Sequence, residues 1–511
     1  MKIFSCNSFT GGMNDWIHPM LLESNIAAKL VNADISTGKL VPVKRPLKLA
    51  GTTPDYYGNY GSHNRSAIKY NGRHYWSNNR AATAPYYGGD PENFLGVPYP
   101  SYGAGENVQV DFSYALSSEG AVHLSGDYKY CVTFVTENGW EGAPGSLSSY
   151  EVGATIEEKN PKVTVTWEDE RIAYAKVYRT VDHGADFFEV GQIRMIQGST
   201  TIFSVLVDDM PDDEAVLQNP LTSQENYPPP DAGKYLCENN GVFFLAQGPL
   251  LYFSAVGNPH AWPTTQFIAF DDEITGITPE FMGILVFTRN KTFRVIGADN
   301  PQTVQKIYIP GNHGCINWRS IAMLNNAPVW LSNDGICIWD GNTISVPSYR
   351  VIKTDELAEK VKWAVAANDC YYLFLRRYAI VYDIRNGGIF YKLGITYEYA
   401  WFDVGSGVFY LQDAGGIYKY GGSEEALSMQ YSSPYIGGNE SGVKIYHEIY
   451  LVCQDEVKLS AAVDGVPLWN EPVSVPSGKQ RIKFPLHSVG HFLSVSLESP
   501  GNINELQVLY D

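Results

Sequence analysis

Short runs of aromatic and β-branched residues, separated by tight turns, recur through the middle of the sequence. The clearest copy spans residues 327–342, where the runs 329–331 and 336–339 flank an Asp-Gly step. Glycine adopts a positive φ without steric cost, so an Asp-Gly step between such runs predicts a β-hairpin. Similar segments lie at residues 241–254, 283–297, 369–383 and 407–421, and a weaker copy lies at 72–79.

These segments are regularly spaced, because the starts of the five stronger ones are 38 to 44 residues apart. A strand-rich repeat of roughly 40–45 residues is typical of one β-propeller blade. Five strong copies and one weak copy therefore predict an all-β fold with a propeller of about six blades. Seven blades are an alternative, since the irregular N-terminal region has room for one more.

The blade rhythm stops twice along the chain. Between residues 101 and 230, alternating polar and apolar segments predict the half-buried strands of a β-sandwich that interrupts the propeller, and this series resembles a fibronectin type III-like module. After residue 437 the rhythm changes again, and deleting this last part is expected to leave the propeller folded. The predicted organisation is an N-terminal platform or arm at 1–60, a first blade region at 61–100, the inserted sandwich at 101–230, the remaining blades at 231–437 and a C-terminal β-domain at 438–511.

The composition agrees with a fold made of strands and turns. Aromatic residues make up 13% of the chain, and 48 of its 511 residues are glycine. Aromatic residues favour strands and glycine favours tight turns. One stretch departs from this pattern: residues 354–367 predict a helix, with Thr354 as its N-cap.

Charge and cysteine content narrow the classes of function. The formal net charge is −18 and no Lys/Arg-rich run occurs, so the surface repels nucleic acid phosphates. The seven cysteines show no CxxC or Cys/His spacing, which favours buried, reduced thiols. The N-terminal apolar run is too short for a signal peptide, and the apolar stretch 242–256 is too short to span a membrane, so no membrane-spanning segment is expected.

Candidate catalytic groups are sparse. Residues 332–339 are similar to the Asp-box of sialidase propellers but lack the residue between Asp334 and Gly335, and an Asp-box is a structural turn in any case. Acidic clusters at 208–214 and 271–273 contain paired carboxylates suited to glycoside hydrolysis or calcium, yet solvated loops explain them better. His313 lies in a Gly-rich turn. We therefore assign no catalytic, cofactor-binding or metal residues and no cofactor, and we expect a protein that is not an enzyme.

The N-terminal segment carries a family resemblance. It contains Gly11-Gly12, then Pro19 and Leu21, then Asn32, and finally a Gly-x-Leu-x-x-x-x-Arg-Pro stretch at 38–46. This pattern resembles the opening of the tail tube or nozzle proteins of short-tailed bacteriophages (podophages). The layout of the chain, a propeller split by a sandwich and followed by a β-domain, is similar to that family as well.

The resemblance implies a structural virion protein that forms the distal nozzle ring of a short phage tail. Six copies would surround a channel that retains DNA and conducts it during ejection, without sequence-specific binding. A hexamer carries six times the −18 charge of one chain, and an acidic lumen repels phosphate. The implied partners are further copies, the tail adaptor protein and tail fibres or tailspikes. The implied location is the virion tail, after assembly in the host cytoplasm.

Two other functions stay open. One is a carbohydrate-binding or glycan-cleaving propeller for host recognition, which would place aromatic and acidic residues together in a propeller mouth. The Tyr/Gly loops at 56–61 and 86–89 suit either sugar contact or packing against a neighbouring subunit or blade. The other is a monomeric scaffold propeller that binds other proteins.

Overall fold

The computed structural model describes the chain in ten stretches and divides it into two compact units. The first unit comprises the described residues of 1–63, 280–293 and 308–511, and the second comprises those of 64–279 and 294–307. The described residues are 1–49, 66–71, 73–77, 95–103, 106–118, 121–194, 204–353, 361–385, 387–486 and 488–511.

Regular structure in these stretches is almost entirely β-strand, which confirms the predicted all-β class. The helices among the described residues are short. They are one α-helical turn, Asp212–Ala215, and two 3₁₀ turns, Pro19–Leu21 and Trp318–Ser320.

Four-stranded antiparallel sheets built from consecutive strands recur in the chain and give it a β-propeller fold, as the sequence repeat predicts. We number four of them as blades, blade 1 in the second unit and blades 2–4 in the first. Blade 1 consists of Lys234–Asn239, Val242–Gln247, Leu250–Phe253 and Phe267–Ala269; blade 2 of Ala322–Leu324, Ala327–Ser332, Gly335–Trp339 and Ile344–Ser345; blade 3 of Val361–Ala367, Cys370–Leu375, Ala379–Asp383 and Ile389–Leu393; blade 4 of Tyr399–Asp403, Val408–Asp413, Gly416–Lys419 and Leu47–Lys48.

Between blades 1 and 2 the chain supplies four more strands, and the boundary between the two units falls within this segment. Thr288 N–H donates to the Lys291 carbonyl at 2.9 Å in the turn between the second and third of them. The four strands are Ile274–Glu280, Gly283–Thr288, Thr292–Ile296 and Gln305–Ile309.

All five stronger sequence segments contain two strands around a turn, as predicted. In blade 2 the turn glycine Gly335 has a φ of 133°, a value that side chains disfavour. The weaker segment belongs to a hairpin that begins earlier in the chain, with Ser66–Tyr70 paired to Arg73–Ser77.

The helix predicted at 354–367 is wrong in the part of this range that the structure describes. Residues 354–360 lie outside the described residues, and Val361–Ala367 is the first strand of blade 3. It pairs with Cys370–Leu375 across a turn in which Asn368 and Asp369 have φ values of 51° and 60°. Two consecutive positive φ values are typical of a type I′ hairpin turn. The hydrogen bonds between the paired strands and the burial of their side chains outweigh the weak local preference for a helix here.

The N-terminal segment contributes strands to three different sheets. Leu47–Lys48 pairs with Gly416–Lys419 and completes blade 4. Lys29–Val31 pairs with the last strand of blade 3, and Lys2–Cys6 pairs with Ile503–Tyr510. The segment is therefore part of the folded body. A further short pair in it is Ala33–Asp34 with Val41–Pro42.

Residues 101–230 contain two sheets that bury one common core, as in a β-sandwich. Val163 and Val165 of the smaller sheet pack in the same cluster as Tyr130, Val132 and Val177 of the larger one. The larger sheet has the order Val152–Lys159, Leu124–Thr136, Ile172–Thr180, Phe187–Arg194, and the smaller has the order Ser204–Val207, Lys162–Val165, Val108–Asp111.

The C-terminal strands continue a propeller sheet. From blade 3 the sheet runs through Lys29–Val31 to Met429–Ser432 and on to Leu493–Ser499 and Val457–Val463. One buried cluster includes residues of blade 3, the N-terminal segment and these C-terminal strands. The other strands here are Val466–Pro467 and Val473–Val475 in that sheet, and Lys444–Cys453, Gly478–Lys483 and Val489–Gly490, which form a second sheet with Lys2–Cys6 and Ile503–Tyr510.

All seven cysteines are buried free thiols. Burial raises the pKa of the Cys315 and Cys370 thiols to about 12, which keeps them protonated and unreactive at neutral pH. We expect reductant to leave the melting temperature unchanged, because no disulfide constrains the unfolded chain. Differential scanning calorimetry with and without dithiothreitol measures this, and a clear fall in melting temperature with reductant would contradict it.

Candidate functional site

Five aromatic side chains form a continuous row across blades 2, 3 and 4, which we call the aromatic ladder. The row runs from Trp318 through Trp363, Tyr399 and Trp401 to Tyr410. Centroids of successive rings lie 5.6, 4.6, 5.7 and 5.2 Å apart. Trp401 is only 7% exposed, whereas the other four side chains are partly exposed. The ladder therefore presents aromatic surface that is rigidly held and still reachable by a ligand.

The first strands of neighbouring blades position the ladder. The first strand of blade 3, which carries Trp363, contacts the first strands of both blade 2 and blade 4. Tyr399 and Trp401 lie on the first strand of blade 4, and Trp401 pairs with Tyr410 on the next strand. Because propeller blades surround a central channel, first strands that touch one another lie on its inner side. The ladder crosses from blade to blade along these strands.

Trp318 is fixed by the 3₁₀ turn that precedes blade 2. Asn317 caps this turn, and Ser320 Oγ donates to the Asn317 carbonyl at 2.6 Å. The hydroxyl of Tyr371, a buried residue of blade 3, donates to the Ser320 carbonyl at 2.7 Å. These bonds tie the start of the ladder to the blade that carries its next member.

Charged groups flank the aromatic rings. Lys362 and Glu398 each precede a ladder residue, and Lys362 Nζ lies 2.6 Å from Glu398 Oε1. The guanidinium carbon of Arg319 lies 5.7 Å from the centroid of the Trp318 ring. Burial lowers the pKa of Arg319, and the nearby carboxylate of Glu398 opposes that shift. Hydrogen-bond donors and an acceptor thus stand beside the rings.

This arrangement suits the binding of a ligand that has both apolar faces and polar groups. Aromatic faces stack against apolar ring surfaces, while adjacent polar groups orient the ligand. Within the described stretches, no group of three or more His, Cys, Asp or Glu side chains is arranged to hold a metal ion. In the same stretches, no helix is long and apolar enough to cross a membrane.

Two features noted in the sequence have structural roles. Ser332 Oγ donates to the Gly335 carbonyl and accepts from Asp334 N–H, both at 3.1 Å, so the Asp-box-like segment closes a hairpin. The carbonyl of His313 accepts a hydrogen bond from Trp330 Nε1 at 2.9 Å. His313 Nδ1 also lies 3.1 Å from Asp334 Oδ2, so His313 is anchored to the blade 2 hairpin from irregular backbone, and the predicted turn is not assigned there.

The acidic cluster at 208–214 is only partly a solvated loop. Asp208 is buried, which corrects the sequence interpretation, and its Oδ2 lies 3.0 Å from Arg179 Nη1. Asp212 Oδ1 lies 2.9 Å from Arg179 Nη2. In the cluster at 271–273, Glu273 lies 3.8 Å from Lys234. The carboxylates of Asp208 and Asp212 thus neutralise the positive charge of the buried Arg179 side chain.

The Tyr/Gly loops at 56–61 and 86–89 lie outside the described residues. Sequence reasoning also missed the ladder. A usable signal was present, because Trp318, Trp363 and Tyr399 are 45 and 36 residues apart, close to the blade repeat.

Comparisons with known proteins identify no family. No protein-family model and no curated protein sequence matches this chain. Among solved structures, BamB from Moraxella catarrhalis is 11% identical, with 61% of this chain and 96% of BamB covered and a TM-score of 0.26. The Pan2 WD40 domain of Neurospora crassa is 8% identical, with 52% and 87% covered and a TM-score of 0.26. Sqt1 of Saccharomyces cerevisiae is 10% identical, with 66% and 93% covered and a TM-score of 0.27. Similarity at this level carries no information about function.

Proposed function

We propose that this chain is a structural virion protein that forms the distal nozzle ring of a short phage tail. The observation that carries the proposal is the placement of the N-terminal segment, which bears the family resemblance. Its strands Lys2–Cys6, Lys29–Val31 and Leu47–Lys48 belong to three sheets of the body. The resemblance implies this role for the segment, as part of a propeller-associated platform.

The distribution of charge also supports a DNA conduit. Residues 101–230 contain 21 Asp or Glu and seven Lys or Arg, so they carry most of the −18 net charge of the chain. An acidic surface repels duplex phosphates, which keeps DNA from sticking during passage. We therefore assign the sandwich to the wall of the channel.

The proposed ring is a homohexamer that binds the tail adaptor protein and tail fibres or tailspikes. It contacts DNA transiently, without reading its sequence and without catalysis. It is located in the virion tail after assembly in the host cytoplasm.

Immunogold labelling of virions that encode this chain tests the proposal. Antibodies against the purified protein are expected to label the distal tip of a short tail. Antibodies against the major capsid protein serve as the control, because they label the head only. Gold over the head, or particles that lack the chain altogether, would contradict a tail location.

A second candidate function is a carbohydrate-binding propeller virion protein for host recognition. The aromatic ladder, with Lys362 and Glu398 beside it, favours this function because it combines ring faces with polar groups. Binding of the purified protein to a glycan array tests it. Release of sugar from a bound polysaccharide would indicate glycan cleavage in addition.

A further inference from the structure

We propose that the aromatic ladder binds a neutral polysaccharide. In this proposal the rings of Trp363 and Tyr399 stack against sugar rings, and the Lys362–Glu398 pair hydrogen-bonds the hydroxyl groups. The proposal rests on the second candidate function, and it names both the site and the class of ligand.

The extent of the ladder points to a chain-like ligand. Trp318 lies on the 3₁₀ turn before blade 2, and Trp363 and Tyr399 lie on blades 3 and 4. Their successive ring centroids are 5.6 and 4.6 Å apart. Successive rings meet at interplanar angles of 89° and 54°, so the row presents edges and partial faces over a length greater than one monosaccharide. Their positions are fixed by strand pairing and by the capped 3₁₀ turn, so little ordering entropy is lost on binding.

The ion pair supplies the polar contacts that a sugar requires. Vicinal hydroxyls donate and accept hydrogen bonds at once, and Lys362 offers donors while Glu398 offers acceptors. The Lys362 side chain is 24% exposed and the Glu398 side chain 44% exposed, so both reach solvent from the ladder. An adjacent donor and acceptor match a diol better than they match an apolar ligand.

Charge favours a neutral ligand over an anionic one. The chain carries a net charge of −18, and the carboxylate of Glu398 neutralises Lys362 at 2.6 Å. Sites for single-stranded nucleic acid combine stacking rings with a positively charged groove. Here Lys362 is already paired with Glu398, so Arg319 is the second cation beside the rings and they do not form a strongly basic groove. The long-range field of the acidic chain also repels polyanions.

Affinity measurements on matched variants test the site. Purified full-length protein is titrated with dextran, mannan, alginate and oligo-dT. We expect binding to at least one of the two neutral polysaccharides and to neither polyanion. Trp363→Ala is expected to weaken that binding tenfold or more, and Glu398→Gln and Lys362→Met each about three- to tenfold, the usual range for one hydrogen bond. Tyr349→Ala, at a 59% exposed aromatic residue of the same unit, is the control and is expected to have no effect.

Trp363→Phe is the control for misfolding. It keeps an aromatic face and is expected to retain most of the affinity, so a loss of binding in Trp363→Ala alone reflects the missing ring. Unchanged binding by Trp363→Ala would overturn the site and leave the second candidate function standing. Binding to alginate or oligo-dT without binding to dextran or mannan would overturn the neutral ligand class. An absence of binding to all four polymers would overturn the inference, and a blank glycan array would overturn the second candidate function. The nozzle proposal is independent of these outcomes, because Trp363→Ala is expected to leave ring assembly intact.

Discussion

Deleting residues 438–511 is expected to unfold blade 3, because the deleted strands continue its sheet. The deletion removes Leu493–Ser499, which pairs with Met429–Ser432, and it uncovers Tyr431 and Leu40. Leu40 also loses two backbone hydrogen bonds to Ile503, of 3.1 and 3.0 Å. Each large apolar side chain returned to water costs about 1.5–3 kcal/mol, while a whole domain is stable by only about 5–15 kcal/mol. The sequence alone favours the opposite outcome, because the change in strand rhythm suggests an independent domain.

Near-UV circular dichroism and limited proteolysis of the truncated chain measure this effect. Two point variants provide a matched comparison: Leu497→Ala, at a 2% exposed position in the shared sheet, is expected to cost about 2–5 kcal/mol. Leu486→Ala, at a 91% exposed position of the same region, is expected to change stability by less than about 0.5 kcal/mol. A truncated chain that resists protease and melts cooperatively would contradict the continuous sheet.

Replacing Arg179 with methionine is expected to destabilise the sandwich by about 3–5 kcal/mol, because it leaves Asp208 buried without its cation. The side chains of Arg179 and Asp208 are both fully buried. The guanidinium also donates to the Met210 carbonyl at 3.0 Å, and the Tyr130 hydroxyl donates to Asp208 at 2.6 Å. The network is satisfied only when all of its members are present.

Hydrogen exchange of the strand Leu124–Thr136 reports this effect locally. Lys129→Met is the control, because Lys129 forms a largely exposed ion pair with Glu151 and is expected to contribute at most about 1 kcal/mol. The double variant Arg179→Met/Asp208→Asn is expected to recover part of the lost protection, since it removes the unpaired charge. Equal exchange in Arg179→Met and wild-type protein would refute a structural role for the network.

The sequence predicts local structure well because local turn chemistry determines it. The Asp334-Gly335 step and its flanking aromatic runs are sufficient for the blade 2 hairpin. The failed helix at 361–367 shows the limit of the same reasoning. The residues there are compatible with a helix, but Asn368-Asp369 forms a positive-φ turn that joins two strands.

The pairing of strands that are distant in the sequence could not be predicted, for a physical reason. Leu47 pairs with Lys419 and Lys2 pairs with Tyr510, and no local pattern encodes partners that far apart in the chain. The ladder depends on the same kind of information, since Trp318 and Trp363 meet only when first strands of neighbouring blades come together. The sequence interpretation puts Trp363 in the predicted helix at 354–367, and its contact with Trp318, on the 3₁₀ turn before blade 2, is visible only in the assembled sheets.

The native mass of the purified protein, alone and mixed with virion tail components, distinguishes a nozzle ring from a monomer. Light scattering gives the mass, and negative-stain imaging gives the symmetry. We expect a six-fold ring with an axial hole, formed alone or on the tail. A stable 56.7 kDa monomer that does not associate with tails would contradict it.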